Sequence, residues 1–241
     1  MRWLRGALIA DPAIILSTIC FSCVSVLLSF FDSTGRIPAT VARRWAKFLL
    51  FASGVQVSVE GLQNIDPNGS YIFMANHTSY IDTPVVLANI SVQFRFLAKR
   101  GLFQIPFLGS HLHRAGHIPV PRDDPRAAVK TLQLAAETIQ KKKISLLVFP
   151  EGGRSHDGVL RPFKEGGAYM AIRAGVPIVP LVLVGGRDVL PYGAGVVKSG
   201  KIVMRVLEPI ETAGLALKDR GELTCRVRTL LLEQIVSASQ R

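Results

Sequence analysis

The chain has 241 residues, 49% of them hydrophobic and 7% aromatic, and its 29 Lys and Arg against 17 Asp and Glu give a formal net charge of +12. That length suits one α/β domain with a full core plus an appendage, and that charge attracts polyanions, either nucleic acid or anionic lipid headgroups. Few aromatic residues, no zinc-finger cysteine spacing, no stacking motif and no basic recognition helix argue against nucleic acid as a partner.

The first element in the chain is the uncharged run from Pro12 to Phe31, PAIILSTICFSCVSVLLSFF, bracketed by Asp11 and Asp32. About 20 apolar residues are just enough to cross a hydrocarbon core as a helix. Arg2 and Arg5 would serve as the basic flank of a signal peptide, but no small-x-small cleavage site follows Phe30 and Phe31, so the segment reads as retained. Cys20 and Cys23 lie inside it and Cys225 is far away, which gives no disulfide framework and suits a reducing compartment. After Gly35 and Pro38, the stretch from Thr40 to Gly54 places Val41, Trp45, Phe48, Leu49 and Ala52 on one stripe flanked by Arg43, Arg44 and Lys47. That is the pattern of a helix lying in a membrane interface. The two segments predict a membrane-attachment hairpin over residues 1–58. Basic residues on both sides leave open whether the first helix spans the bilayer or dips into it.

Residues 59–241 alternate short apolar runs with helical stretches. Strands are predicted at Tyr71 to Ala75, Phe94 to Ala98, Ile118 to Val120, Ile144 to Phe149, Ile178 to Val184 and Ile202 to Leu207. The clearest helix has Asp124 as N-cap and Pro125 at its first position, and ends in Lys141, Lys142 and Lys143. Others run from Glu165 to Ala174, closed by Gly175 and Pro177, and from about Arg220 to Ser237. Alternation of this kind predicts an α/β fold with a mixed, largely parallel sheet flanked by helices. In such sheets ligands bind beyond the carboxyl ends of the strands. The rule selects Asn76 to Asp82, Lys99 to Gly109 and Pro150 to Ser155.

The first of these, NHTSYID, sets His77 five residues before Asp82. On a continuous helix the two side chains would point roughly 140° apart. A strand that turns into a helix can bring them together, and Ser79-x-x-Asp82 reads as a capping box at such a helix start. A capping Asp82 and a solvated His77 would give the same letters, so this motif does not decide by itself. The third place, FPEGGRS from Phe149 to Ser155, joins Glu151, two glycines that let backbone approach a ligand, and Arg154, a fork of donors suited to phosphate. An exposed Glu151–Arg154 ion pair would use the same residues.

Taken together, Asn76-His77 with Asp82, Lys99 in LAKRGLFQIPFLG, GHIPVPR from Gly116 to Arg122, FPEGGRS and VPIVPLVLVG from Val176 to Gly185 resemble the glycerolipid acyltransferases in order and approximate spacing. Among these the likeness is greatest to the 1-acyl-glycerol-3-phosphate acyltransferases. It covers residues 71–185, and the N-terminal hydrophobic helices are similar too. Gly153 departs from the threonine usual in the third block, which removes a hydroxyl and puts acceptor preference in doubt. Pro121 replaces a residue that is commonly acidic.

The resemblance implies acyl transfer from a thioester, acyl-CoA or acyl-carrier protein, to a lysophospholipid hydroxyl. His77 would be the base and Asp82 the carboxylate that orients it. Arg154, Arg122 and Lys99 would bind the acceptor phosphate, with Glu151, Gly152 and Gly153 in the same turn. Backbone N–H groups near Gly152 and Gly153, or Lys99, would meet the oxyanion. Asn76, Leu102, Phe103 and Pro106 would support the site or line the acyl chain's path, as would Ile105 and Phe107. No Gly-x-Ser-x-Gly elbow is present, so no acyl-enzyme is expected. No cofactor or metal is expected either, since His77, Asp82 and Glu151 lack metal-ligand spacing. His111, His113 and His117 are expected at the surface or partly buried. The expected location is a membrane with anionic lipid, with the catalytic domain on the cytoplasmic side of a bacterial inner membrane.

Overall fold

Apolar runs with no polar alternation, such as Ile72–Ala75 and Ile178–Val184, need cover on both faces, and the fold supplies it. The computed structural model describes residues 11–32, 34–121 and 124–239, so Arg2, Arg5 and Arg122 lie outside the described residues. Seven strands form one sheet: β1 (Val55–Glu60), β2 (Ile72–Ala75), β3 (Phe94–Lys99), β4 (Ile118–Val120), β5 (Ser145–Val148), β6 (Ile178–Val184) and β7 (Gly200–Val206). Their spatial order is β1-β7-β6-β2-β5-β3-β4, and every neighbouring pair is parallel except β6 with β7.

Side chains alternate between the two faces along each central strand. Phe73, Ala75, Leu147, Val179 and Leu181 join a core with helices α2 (Arg36–Ser53) and α3 (Asp82–Asn89). Ile72, Met74, Leu146, Val148 and Ile178 enter a second core with α5 (Pro125–Lys142), α6 (Gly166–Ala174) and α8 (Arg220–Ser239). Asp124 caps α5 by accepting from the N–H groups of Arg126 and Ala127, at 2.9 and 3.0 Å, and Gly175 closes α6 at φ 65°. The short helices α4 (Leu108–Arg114) and α7 (Gly186–Val189) follow the loops after β3 and β6.

Two expectations about the N-terminal part change. The strand β1 pairs along its whole length with β7, so a boundary after residue 58 would cut a strand of the sheet. Its alternating VQVSVE pattern, directly after the helix-ending Gly54, is the signal for it. The α2 stripe is only partly open to lipid: Val41 is buried and Leu49 joins the domain core with Ala42, Ala46 and Leu50, while Phe48 of the same stripe is 41% exposed and Phe51 81%. The helix α1 (Asp11–Leu28) is apolar on the outside instead. Its buried residues are Ser17, Ser22 and Ser25, whereas Ile15, Leu16 and Leu27 are more than 60% exposed.

Among the histidines, His113 is exposed and His117 partly buried as expected, and His111 differs. His111 is buried and hydrogen-bonded through Nδ1 to Ser25 Oγ at 2.7 Å, which ties α1 to α4. Burial, and then the nearby Arg95 guanidinium, push its pKa down from 6.5 to about 4. His117 accepts from the Phe96 N–H through Nδ1, at 2.9 Å.

Candidate active site

The sheet places the ends of β2, β5 and β6 side by side, and the loops beyond them converge. Asn76, the first residue past β2, is buried and clamps β6 with both ends of its amide: Nδ2 donates to Leu183 O and Oδ1 accepts from Leu183 N, each at 2.8 Å. The chain then turns through His77 to Ile81 before α3 starts at Asp82. This turn does what a continuous helix cannot. His77 Nδ1 lies 3.0 Å from Asp82 Oδ2, with the two side chains 15% and 1% exposed.

A buried carboxylate needs donors. Asp82 Oδ2 also accepts from the N–H groups of Thr78 and Ser79, both at 2.8 Å. This is only the reverse half of the expected capping box. The Ser79 hydroxyl donates to Leu190 O at 2.7 Å, and the helix begins three residues later. With Nδ1–H donating to the carboxylate, Nε2 is the free lone pair of the ring. The imidazole is fixed on a second side by Phe149, whose ring stacks on it at 3.9 Å and 17°.

Glu151 was expected at the phosphate, but its carboxylate braces the site instead. Oε1 accepts from the His77 N–H at 2.7 Å and Oε2 from the Arg161 N–H at 3.0 Å. Burial raises its pKa, opposed in part by those two hydrogen bonds and by the nearby charges of His77 and Arg161. The Ser155 N–H donates to His77 O at 2.8 Å, a further tie between the two loops.

In the turn itself Gly152 has φ 75°, and a Cβ there would sit 2.9 Å from Lys164 Cε. Lys164 therefore passes over the turn, a cation that the motifs did not single out although it follows ten residues after Arg154 in the same connection. Gly153 faces open space. The Gly152 N–H donates to Phe149 O at 3.0 Å, which leaves Gly153 and Arg154 as the N–H groups available to an oxyanion. The Arg154 guanidinium lies over the Tyr80 ring at 3.4 Å and near Tyr192 at 4.5 Å, so stacking holds its faces while its donor edge stays free. It does not pair with Glu151.

Other expected site residues lie apart. Lys99 is exposed at the end of β3, two strands away from β2. Leu102 is 39% exposed and Pro106 is exposed too, because the 3-10 turn Arg100–Gln104 directs this loop outward. Phe103 packs edge-on against His113 at 4.9 Å.

Gly186 went unnoticed in the sequence. A Cβ at this position would come within 2.7 Å of Asp82 Oδ1 and 3.2 Å of Ser79 Cβ. The α7 backbone thus forms the wall behind the carboxylate.

A model of the acyltransferase family matches residues 56–184, more than half the chain. The chain belongs to the acyltransferase family. Within that family it is 33% identical over 172 residues to the chloroplastic 1-acyl-sn-glycerol-3-phosphate acyltransferase BAT2 of Brassica napus, covering 70% of this chain and 49% of that one. It is 32% identical over 179 residues to human 1-acyl-sn-glycerol-3-phosphate acyltransferase alpha, covering 74% and 63%. The chain spans about half the length of the curated relatives it matches first. In fold, this acyltransferase is similar to the crystal structure of the lysophosphatidic acid acyltransferase PlsC from Thermotoga maritima. The TM-score is 0.85 at 24% identity, over 100% of this chain and 99% of that one.

Proposed function

We propose that this acyltransferase moves a fatty acyl group from a thioester, acyl-CoA or acyl-carrier protein, to the free hydroxyl of 1-acyl-glycerol-3-phosphate, giving phosphatidic acid. The observation that carries this reading is the His77–Asp82 pair at 3.0 Å beside the Arg154 turn. The names of the relatives support the acceptor.

In this mechanism His77 Nε2 accepts the hydroxyl proton as the acceptor oxygen attacks the thioester carbonyl carbon, and Asp82 stabilises the imidazolium that forms. The carbonyl oxygen, now negative, receives the N–H groups of Gly153 and Arg154. Collapse breaks the carbon–sulfur bond, and the departing thiolate takes the proton from His77. Arg154, with Lys164 above the turn, binds the acceptor phosphate and so holds the hydroxyl close to His77. No group beyond the two substrates enters these steps. The apolar outer face of α1 supports attachment to a membrane, where the acceptor resides, and the basic surface suits anionic lipid. The soluble thioester donors place the catalytic domain on the cytoplasmic side, in a bacterium at the inner membrane.

The test is purified protein in detergent, offered acyl-CoA and acyl-carrier-protein donors with a panel of acceptors: 1-acyl-glycerol-3-phosphate, glycerol-3-phosphate, other lysophospholipids and 1-acylglycerol. The reading expects acceptor-dependent release of thiol, fastest with 1-acyl-glycerol-3-phosphate. Thiol release at the same rate without any acceptor would make the protein a hydrolase instead.

A further inference from the structure

Phe107 has φ 62° and ψ −56°, a backbone conformation that bulky residues avoid. The Leu108 N–H donates to Pro106 O at 2.7 Å across it, which closes a γ-turn of the rare, strained hand. Strain of this sort persists where function requires it. Yet the side chain it displays is 49% exposed, and Leu102 and Ile105 on the same loop are 39% and 45% exposed. In water this arrangement combines a strained backbone with exposed apolar surface.

The loop leads directly into α4, which packs against α1. The helix that begins directly after Phe107, α4, packs on the inner, serine-bearing face of α1, where Ser25 Oγ bonds His111 Nδ1 at 2.7 Å, and its Arg114 guanidinium lies 3.7 Å from the ring centre of Phe30 in the turn that follows α1. His111 is one turn from Phe107, and its N–H donates to Phe107 O at 3.0 Å. Lys99 and Arg100, both exposed, precede the loop and suit the anionic phosphates of a headgroup layer.

We propose that the loop 100–107 is a further membrane-contacting element, which inserts Leu102, Ile105 and Phe107 into a bilayer with anionic headgroups beside α1. A second attachment point defines the orientation of the α/β domain on the membrane more closely than α1 alone. The proposal rests on the membrane attachment put forward above.

Full-length protein is floated with vesicles of phosphatidylethanolamine and phosphatidylglycerol, and its thermal unfolding is followed in detergent. Glycine adopts positive φ freely, so Phe107→Gly keeps or raises the melting temperature and yet partitions about tenfold more weakly. Phe107→Trp, made with Trp3 and Trp45 changed to Phe, keeps its partitioning, and lipids brominated in their acyl chains quench its emission. Partitioning of Phe107→Gly equal to wild type, or an unquenched tryptophan 107 on protein that binds vesicles, overturns the proposal. So does a dimer in ultracentrifugation that Phe107→Gly dissolves, since it assigns the patch to a second copy. Wild-type protein that stays off the vesicles altogether refutes the broader membrane reading instead.

Discussion

Replacing Gly186 by alanine adds one methyl group behind the Asp82 carboxylate. The new Cβ would lie 2.7 Å from Asp82 Oδ1, about 0.7 Å inside the 3.4 Å where ordinary contact begins. Gly186 has no left-handed φ, so crowding, first by Asp82 Oδ1 and less tightly by Ser79 Cβ at 3.2 Å, is what opposes a side chain here. If the carboxylate gives way, the 3.0 Å bond to His77 Nδ1 stretches beyond useful hydrogen-bond length. Misplacing a catalytic group by about 1 Å costs roughly 100-fold in rate, near 3 kcal/mol. We expect kcat to fall by about that factor at little-changed acceptor KM, with about 1–3 kcal/mol of stability lost to overpacking and read separately by thermal melting. A double-mutant cycle isolates the cause. In the Asp82→Ala background the obstructing oxygen is gone, and Gly186→Ala should cost little more activity. Wild-type kcat in Gly186→Ala, or the same fold-loss with and without Asp82, would refute the reasoning.

Arg154→Ala should raise the KM for phosphate-bearing acceptors about 10–100-fold, the worth of a charge-assisted bond, with a smaller change in kcat. Unaltered kinetics on those acceptors would remove Arg154 from the phosphate site. A second expectation concerns pH. His111 is neutral in the fold, its pKa pushed down to about 4, while in the unfolded chain it titrates near 6.5. Unfolding thus takes up a proton below pH 6.5, and stability falls as pH drops from 6.5 towards 4, by up to about 3 kcal/mol. His117, lowered by burial and then by His111 and Arg95, acts in the same direction. Urea melts across this window should show the slope, and His111→Asn should lessen it.

Most of the sheet was legible because apolar runs bounded by Gly and Pro mark buried strands well. The first strand was not, since its alternation of six residues follows the helix-ending Gly54 at once and one of its edges is free. The α2 helix shows the limit of periodicity. An apolar stripe says that a face is covered, not whether lipid or protein covers it. In the site, His77 and Asp82 could be found because their spacing excludes a helix and implies a turn. Glu151 and Asn76 were visible as letters but not as roles, since backbone partners 74 and 107 residues away define them. Gly186 carries no motif at all, and its importance comes from where α7 packs. The cations divided likewise: Arg154 stands in the turn and Lys99 does not, a distinction set by strand order.

The most direct measurement is turnover of His77→Ala with 1-acyl-glycerol-3-phosphate and an acyl thioester, alongside acceptor binding. Without its proton acceptor the enzyme should lose roughly a thousandfold or more in kcat, and the acceptor should still bind with nearly unchanged affinity. Turnover close to wild type would contradict the claim that this imidazole activates the lipid hydroxyl.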